Sequence, residues 1–136
     1  MAPKILIIED EPTTLKLVKL VLQRAGYQTV TADNGSEGLR QVTESKPDLV
    51  LLDLILPGID GFQVCRMLRQ DPATRRLPVI IFSGLNRPAE QRQAFEAGGD
   101  DFLTKPIRLA DLLDKVRSAL YFREPVGDAR PQMAAD

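Results

Sequence analysis

The sequence predicts an α/β fold, a doubly wound five-stranded parallel sheet with helices on both faces. Three observations carry that expectation. Short apolar runs alternate with helical patterns five times along the 136 residues, a length that suits one domain. Three of the runs, Ile5-Leu6-Ile7-Ile8, Leu49-Val50-Leu51-Leu52 and Val79-Ile80-Ile81-Phe82, are continuous rather than alternating. Continuity of that kind marks strands buried on both faces, as in a parallel sheet. Strand–helix alternation in turn calls for right-handed crossovers that cover the sheet twice over.

Each element has its own signal. The strands are expected at Lys4–Glu9, Gln28–Ala32, Asp48–Asp53, Pro78–Ser83 and Asp101–Thr104. The second alternates and contains Gln28, Thr29 and Thr31, which reads as an edge strand. Pro12 suits the first turn of a helix whose face is Leu15, Val18, Val21, Leu22 and Ala25, with Gly26 as its C-terminal cap. A second helix runs from about Ser36 to Ser45, with Leu39 and Val42 inward, and Pro47 stops it. A third, from about Phe62 to Gln70, offers Val64, Cys65 and Leu68 to the core. The fourth runs from about Pro88 to Ala97, where Gly98-Gly99 break it. The last runs from Leu109 to about Phe122, with Leu112, Leu113, Val116 and Leu120 inward. From about Glu124 the periodicity stops, and residues 123–136 read as a flexible tail or a truncated linker.

Composition narrows the chemistry. An apolar fraction of 43% supports a real core. A formal net charge of -1 argues against direct nucleic-acid binding, which favours a basic excess. No apolar run approaches the roughly 18 residues of a membrane span, and the N-terminus turns acidic too soon for a signal peptide. A cytoplasmic location is the default expectation. The chain has no histidine, so imidazole can serve neither as base, phosphoryl carrier nor metal ligand. Its one cysteine, Cys65, reads as a small buried hydrophobe. Carboxylates, hydroxyls, lysines or a hard metal must therefore do the work.

In an open parallel sheet, ligands bind beyond the carboxyl ends of the strands. Those ends here carry Glu9-Asp10-Glu11, Asp53, Ser83-Gly84 and Thr104-Lys105-Pro106. Carboxylates gathered on one edge repel one another and call for a cation. Oxygen donors without His or Cys favour Mg²⁺, or Mn²⁺ in its place. A carboxylate beside such an ion can attack phosphorus and form an acyl phosphate. Lys105 would oppose the charge on the phosphoryl oxygens, Ser83 would donate to the same group, and Gly84 would leave room for it. Taken singly, Asp53 can start a turn, Ser83 can cap a helix and Lys105 can be a surface lysine. The ordered set of four strand ends is what favours a site.

Several blocks of the chain resemble the receiver domain of bacterial two-component response regulators, the CheY-like superfamily. They are Ile5–Glu11, Asp48–Gly61, Pro78–Gly84 and Gly99–Pro106, within a resemblance that covers about residues 4–121. The likeness implies a flavodoxin-like strand order 2-1-3-4-5 and a receiver domain over residues 1–122. It implies that Asp53 is the phosphoacceptor, Asp10 a direct Mg²⁺ ligand, and Glu9 an acidic neighbour acting through water. The backbone carbonyl of Ile55 would complete the protein's ligands. Ser83 would follow the phosphoryl group on activation, Phe102 would be the switch aromatic, and the Lys105–Pro106 bond would be cis. Glu9 and Gly84 stand where Asp and Ala are more frequent in the family. Apolar Ile55 and Leu85 flank the site and imply slow self-dephosphorylation.

The resemblance also implies partners. A sensor histidine kinase or a histidine phosphotransfer protein would donate the phosphoryl group. A downstream protein or a fused output domain would read the face made by the fourth helix, fifth strand and fifth helix. A homodimer through the last helices is allowed for, without a strong apolar surface pattern to support it. The expectation is a signalling switch, not an enzyme. Three rivals remain. A haloacid-dehalogenase-type phosphohydrolase would need an acid where Ile55 stands. A flavodoxin-like cofactor module would need a glycine-rich loop after the first strand. A receiver that takes no phosphate would have no use for the intact acidic set.

Overall fold

The computed structural model describes residues 2–85 and 87–123. Five strands, β1 (Lys4–Ile8), β2 (Gln28–Ala32), β3 (Leu49–Asp53), β4 (Val79–Ser83) and β5 (Asp101–Thr104), form one parallel sheet in the order β2-β1-β3-β4-β5. The three continuous apolar runs are the three central strands. Every residue of β3 and β4 is buried, as are Ile5–Ile8 of β1. β2 lies at one edge as its alternation suggested, and its burial is patchy. β5 closes the other edge.

Five helices cover the sheet: α1 (Pro12–Arg24), α2 (Gly35–Ser45), α3 (Gly61–Gln70), α4 (Pro88–Glu96) and α5 (Leu109–Arg123). Strand pleating sends alternate side chains to opposite faces, so the core falls into two halves. Ile5, Ile7, Leu49, Leu51, Ile80, Phe82 and Leu103 meet Val18 and Leu22 of α1 and Leu112 and Val116 of α5. Leu6, Ile8, Val50, Leu52, Val79 and Ile81 meet Val42 of α2, Val64, Cys65 and Leu68 of α3, and Ala94 of α4. Each fully buried Leu, Ile or Val contributes on the order of 1.5–3 kcal/mol.

Differences from expectation sit at element ends. The first helix stops at Arg24, so Ala25 is an exposed cap residue instead of part of the inward face. Gly26 follows with φ +99°, the left-handed turn that glycine adopts without strain. α2 and α3 each begin one residue earlier than expected, capped by Asn34 and Asp60. α4 ends at Glu96, one residue short, and α5 runs through Arg123. The tail expected beyond that lies outside the described residues.

One side chain ties the lower end of the sheet together. Arg69, at the end of α3, donates to the carbonyls of Gly98, Arg75 and Leu77 and to Asp100 Oδ2, at 2.7–3.1 Å. The same Asp100 oxygen accepts from the Val79 N–H. The starts of β4 and β5 are thereby pinned to α3 at the edge opposite the strand ends that carry the acidic residues. No helix among the described residues is long and apolar enough to cross a membrane.

Candidate functional site

The carboxyl ends of β1, β3 and β5 bring together Glu9, Asp10, Asp53 and Lys105. Hydrophobic strands drive this: Ile8 pairs with Leu52 and Asp53 pairs with Phe82, so burying the apolar runs places the polar residues that follow them side by side. Glu9 is fully buried, Asp53 is 3% exposed and Asp10 faces solvent. One carboxylate oxygen from each lies within 4.8 Å of the other two. Lys105 Nζ donates to Glu9 Oε1 at 2.7 Å and to Asp53 Oδ2 at 3.0 Å. The Ile55 N–H donates to Asp53 Oδ1 at 3.2 Å, and the Glu11 N–H donates to Glu9 Oε2 at 2.9 Å.

The electrostatics follow from that crowding. Burial pushes the Glu9 carboxyl above its ordinary value, and the nearby Asp53 charge adds to the rise, although Lys105 and the Glu11 N–H oppose it. Burial alone would weaken the Lys105 ammonium. Its hydrogen bonds to Glu9 and Asp53 outweigh that, and its pKa is raised. Three carboxylates against one ammonium leave two negative charges, the amount that a divalent cation neutralises. All the donors are oxygens. The set therefore fits a hard divalent ion, whose shell tolerates one or two carboxylates together with water.

The acidic run after β1 divides by role. Glu11, which follows Glu9 and Asp10 at the end of β1, accepts from the Thr13 and Thr14 N–H groups and caps α1. The Thr14 hydrogen bonds hold its pKa below the ordinary value. Ser83 is fully buried, and its Oγ accepts from the Leu85 N–H at 3.0 Å. A Cβ on Gly84 would meet nothing within 4 Å, so packing does not require glycine there. The Ile55 side chain is 57% exposed. The Lys105–Pro106 peptide bond is cis. Cys65 is buried in α3, where burial pushes its thiol up to about 11, as befits a core residue.

Pleating sorts these residues by face. Asp53, Phe82 and Leu103 are register partners and share the α1/α5 side, which Glu9 and Lys105 also join by the period of two. Ser83 has the opposite parity, as does Phe102, which is half-buried against the α2/α3/α4 side of the core. Three residues escaped the sequence reading. Phe82 was counted only as strand core, yet its ring centroid lies 5.1 Å from Lys105 Nζ. Its parity with Lys105 was the available signal. The Arg69–Asp100 pair joins residues 31 apart in sequence and left no local trace.

Comparison with known proteins agrees with this arrangement. A family model described as the response regulator receiver domain matches residues 5–117. The chain is 42% identical over 118 residues to the DNA-binding dual master transcriptional regulator RpaA of Synechocystis, covering 87% of the chain and 49% of RpaA. It is 35% identical over 117 residues to Protein PilH of Pseudomonas aeruginosa, covering 86% of the chain and 97% of PilH. The chain spans about half the length of many of the curated relatives it matches, RpaA among them. A crystal structure of the receiver domain of a sensor histidine kinase from Pseudomonas aeruginosa superposes with a TM-score of 0.82 at 26% identity, covering 88% of this chain and 98% of that one. That structure has a magnesium ion coordinated in its active-site cleft.

Proposed function

The chain belongs to the response regulator receiver family, and from that premise we propose that Asp53 accepts a phosphoryl group and that the fold transmits its arrival. The observation that carries this reading is the buried Asp53 carboxylate, held by Lys105 at 3.0 Å within 4.8 Å of two further carboxylate oxygens. Asp10 and Asp53, with Glu9 through water and the Ile55 carbonyl, would hold Mg²⁺ or Mn²⁺. When bound, that ion supplies positive charge against the phosphoryl oxygens.

The donor is a phosphohistidine on a kinase or phosphotransfer domain outside these 136 residues, which contain no histidine. One Asp53 oxygen forms a bond to phosphorus as the P–N bond to the imidazole breaks, and the electron pair stays with the imidazole nitrogen. Lys105 remains beside the site to balance the added charge. The Ile55 N–H orients the acceptor carboxylate before attack. Ser83 then exchanges its hydrogen bond from Leu85 for one to the phosphoryl group, which draws on the β4–α4 connection. Phe102, on the same side of the sheet as Ser83, repacks into the space released. The altered α4-β5-α5 face is read by a downstream protein or a fused output domain as a population shift. The chain is a switch rather than a turnover enzyme. Apolar Ile55 and Leu85 offer no hydrogen bond to an attacking water, so the acyl phosphate is long-lived. A cytoplasmic location fits this reading.

Acetyl phosphate with Mg²⁺ tests this reading directly. Intact-mass measurement is expected to find one added phosphoryl group, absent in Asp53→Asn. Labelling that persists in Asp53→Asn, or none in the parent protein, refutes the assignment. For the relay, Ser83→Ala should still take phosphate while the phosphorylation-dependent shifts of α4 amides in NMR spectra are largely lost. Undiminished shifts would exclude Ser83 as the coupling residue.

A further inference from the structure

Lys105 has a third partner besides its two carboxylates. Its ammonium lies 5.1 Å from the centroid of the Phe82 ring, within the range of a cation–π contact. The ring is fully buried, packed among the apolar side chains beneath α1 and α5. It therefore presents a fixed surface. Phe82 pairs with Asp53 on one side and Leu103 on the other, so the same strand register aims the ring and the acceptor carboxylate at Lys105.

We propose that Phe82 is a positioning residue for phosphoryl transfer, acting through Lys105. The inference rests on the reading of Asp53 as the acceptor. Before transfer, Glu9 and Asp53 hold the ammonium from two directions. Once an Asp53 oxygen is committed to phosphorus, the charge that held the lysine on that side is spread over the phosphoryl group. The ring is a partner whose interaction does not change during the reaction. It holds the ammonium in place while the charge on the Asp53 side changes. An aliphatic residue at 82 would keep this part of the core apolar but supply no such hold.

The test uses the full chain with Phe82 replaced by 4-fluoro-, 3,5-difluoro- and 3,4,5-trifluorophenylalanine. These nearly preserve shape and progressively weaken the negative face of the ring. With acetyl phosphate and Mg²⁺, the maximal phosphorylation rate should fall stepwise, by about fivefold at the trifluoro ring, while the melting temperature holds. In a Lys105→Ala background the residual rate should be flat across the series. A flat series in the parent background overturns the proposal and leaves Phe82 as packing alone. Failure of the parent to take phosphate would instead sink the acceptor reading. For that case, metal-free NMR gives a separate readout. The ring should shift the Lys105 Hε protons upfield, and Phe82→Leu should abolish the shift. Absence of the shift in the unsubstituted protein also overturns the proposal.

Discussion

Glu9 shows how one residue trades stability for chemistry. Buried beside Asp53, its carboxyl has a folded pKa above its ordinary value of 4.5. A group whose pKa is raised by folding contributes stability that is present below the unfolded value and lost as pH climbs through the folded one. In metal-free buffer, Glu9→Gln should therefore gain stability relative to the parent progressively as pH rises above 4.5. Urea denaturation across that window measures it; a constant difference would mean that Glu9 folds without strain on its charge. Asp53, Glu9 and Lys105 were legible from sequence because each ends an apolar run, and parallel strands put run ends on one edge. Glu11 was not distinguished by its local sequence, because an acidic triplet looks uniform in one dimension. In the structure its backbone turns into α1, and the first free N–H groups of that helix claim its side chain. Phe82 was visible as core and invisible as a partner, since its contact with Lys105 depends on β4–β5 register.

The connection between β3 and α3 is the element on which the site depends most. The Gly61 N–H returns to the Leu54 carbonyl at 2.9 Å and closes the loop that carries Ile55. Gly58 turns inside it at φ +77°. A Cβ on Gly61 would collide with the Asp53 carbonyl oxygen and stand 2.6 Å from Leu54 Cα, both backbone atoms with no freedom to withdraw. Gly61→Ala should therefore cost about 2 kcal/mol by urea denaturation and slow the labelling of Asp53. Gly38→Ala makes the instructive contrast. There the three atoms nearest a Cβ all belong to the Ile8 side chain rather than to backbone, and alanine favours the interior of α2, so the loss should be smaller. Equal losses at both sites would show that the loop is softer than its contacts imply. Central strands and helices were readable because continuous and periodic apolar patterns survive any register. The ends were less so: Ala25 has the spacing of an inward residue, but Gly26 ends the helix before that spacing applies.

At the scale of the whole molecule, stability and the acidic site are linked. The folded chain gathers three carboxylates that the unfolded chain scatters, so an ion that prefers the gathered set stabilises the fold by mass action. Mg²⁺ at a hundred times its dissociation constant should add about 2.7 kcal/mol. Asp10→Asn should remove most of that gain while leaving metal-free stability little changed, because Asp10 is exposed. Calorimetric scans with Mg²⁺ and with EDTA check both statements. The strand order could be inferred only through family resemblance, since alternation alone fixes parallel pairing but not which strand lies beside which.

Arg69 gives the fold an uneven stiffness. It grips the Gly98 carbonyl just beyond α4 and, through Asp100, the first residue of β4. The far end of α4, at Pro88, adjoins the connection that opens at Ser83. Arg69 thus anchors α4 at its Gly98 end, while its Pro88 end follows the connection from Ser83. If Ser83 draws on that connection as proposed, displacement should grow along α4 from Glu96 toward Pro88, and phosphorylation-dependent amide shifts that increase in that direction would show it.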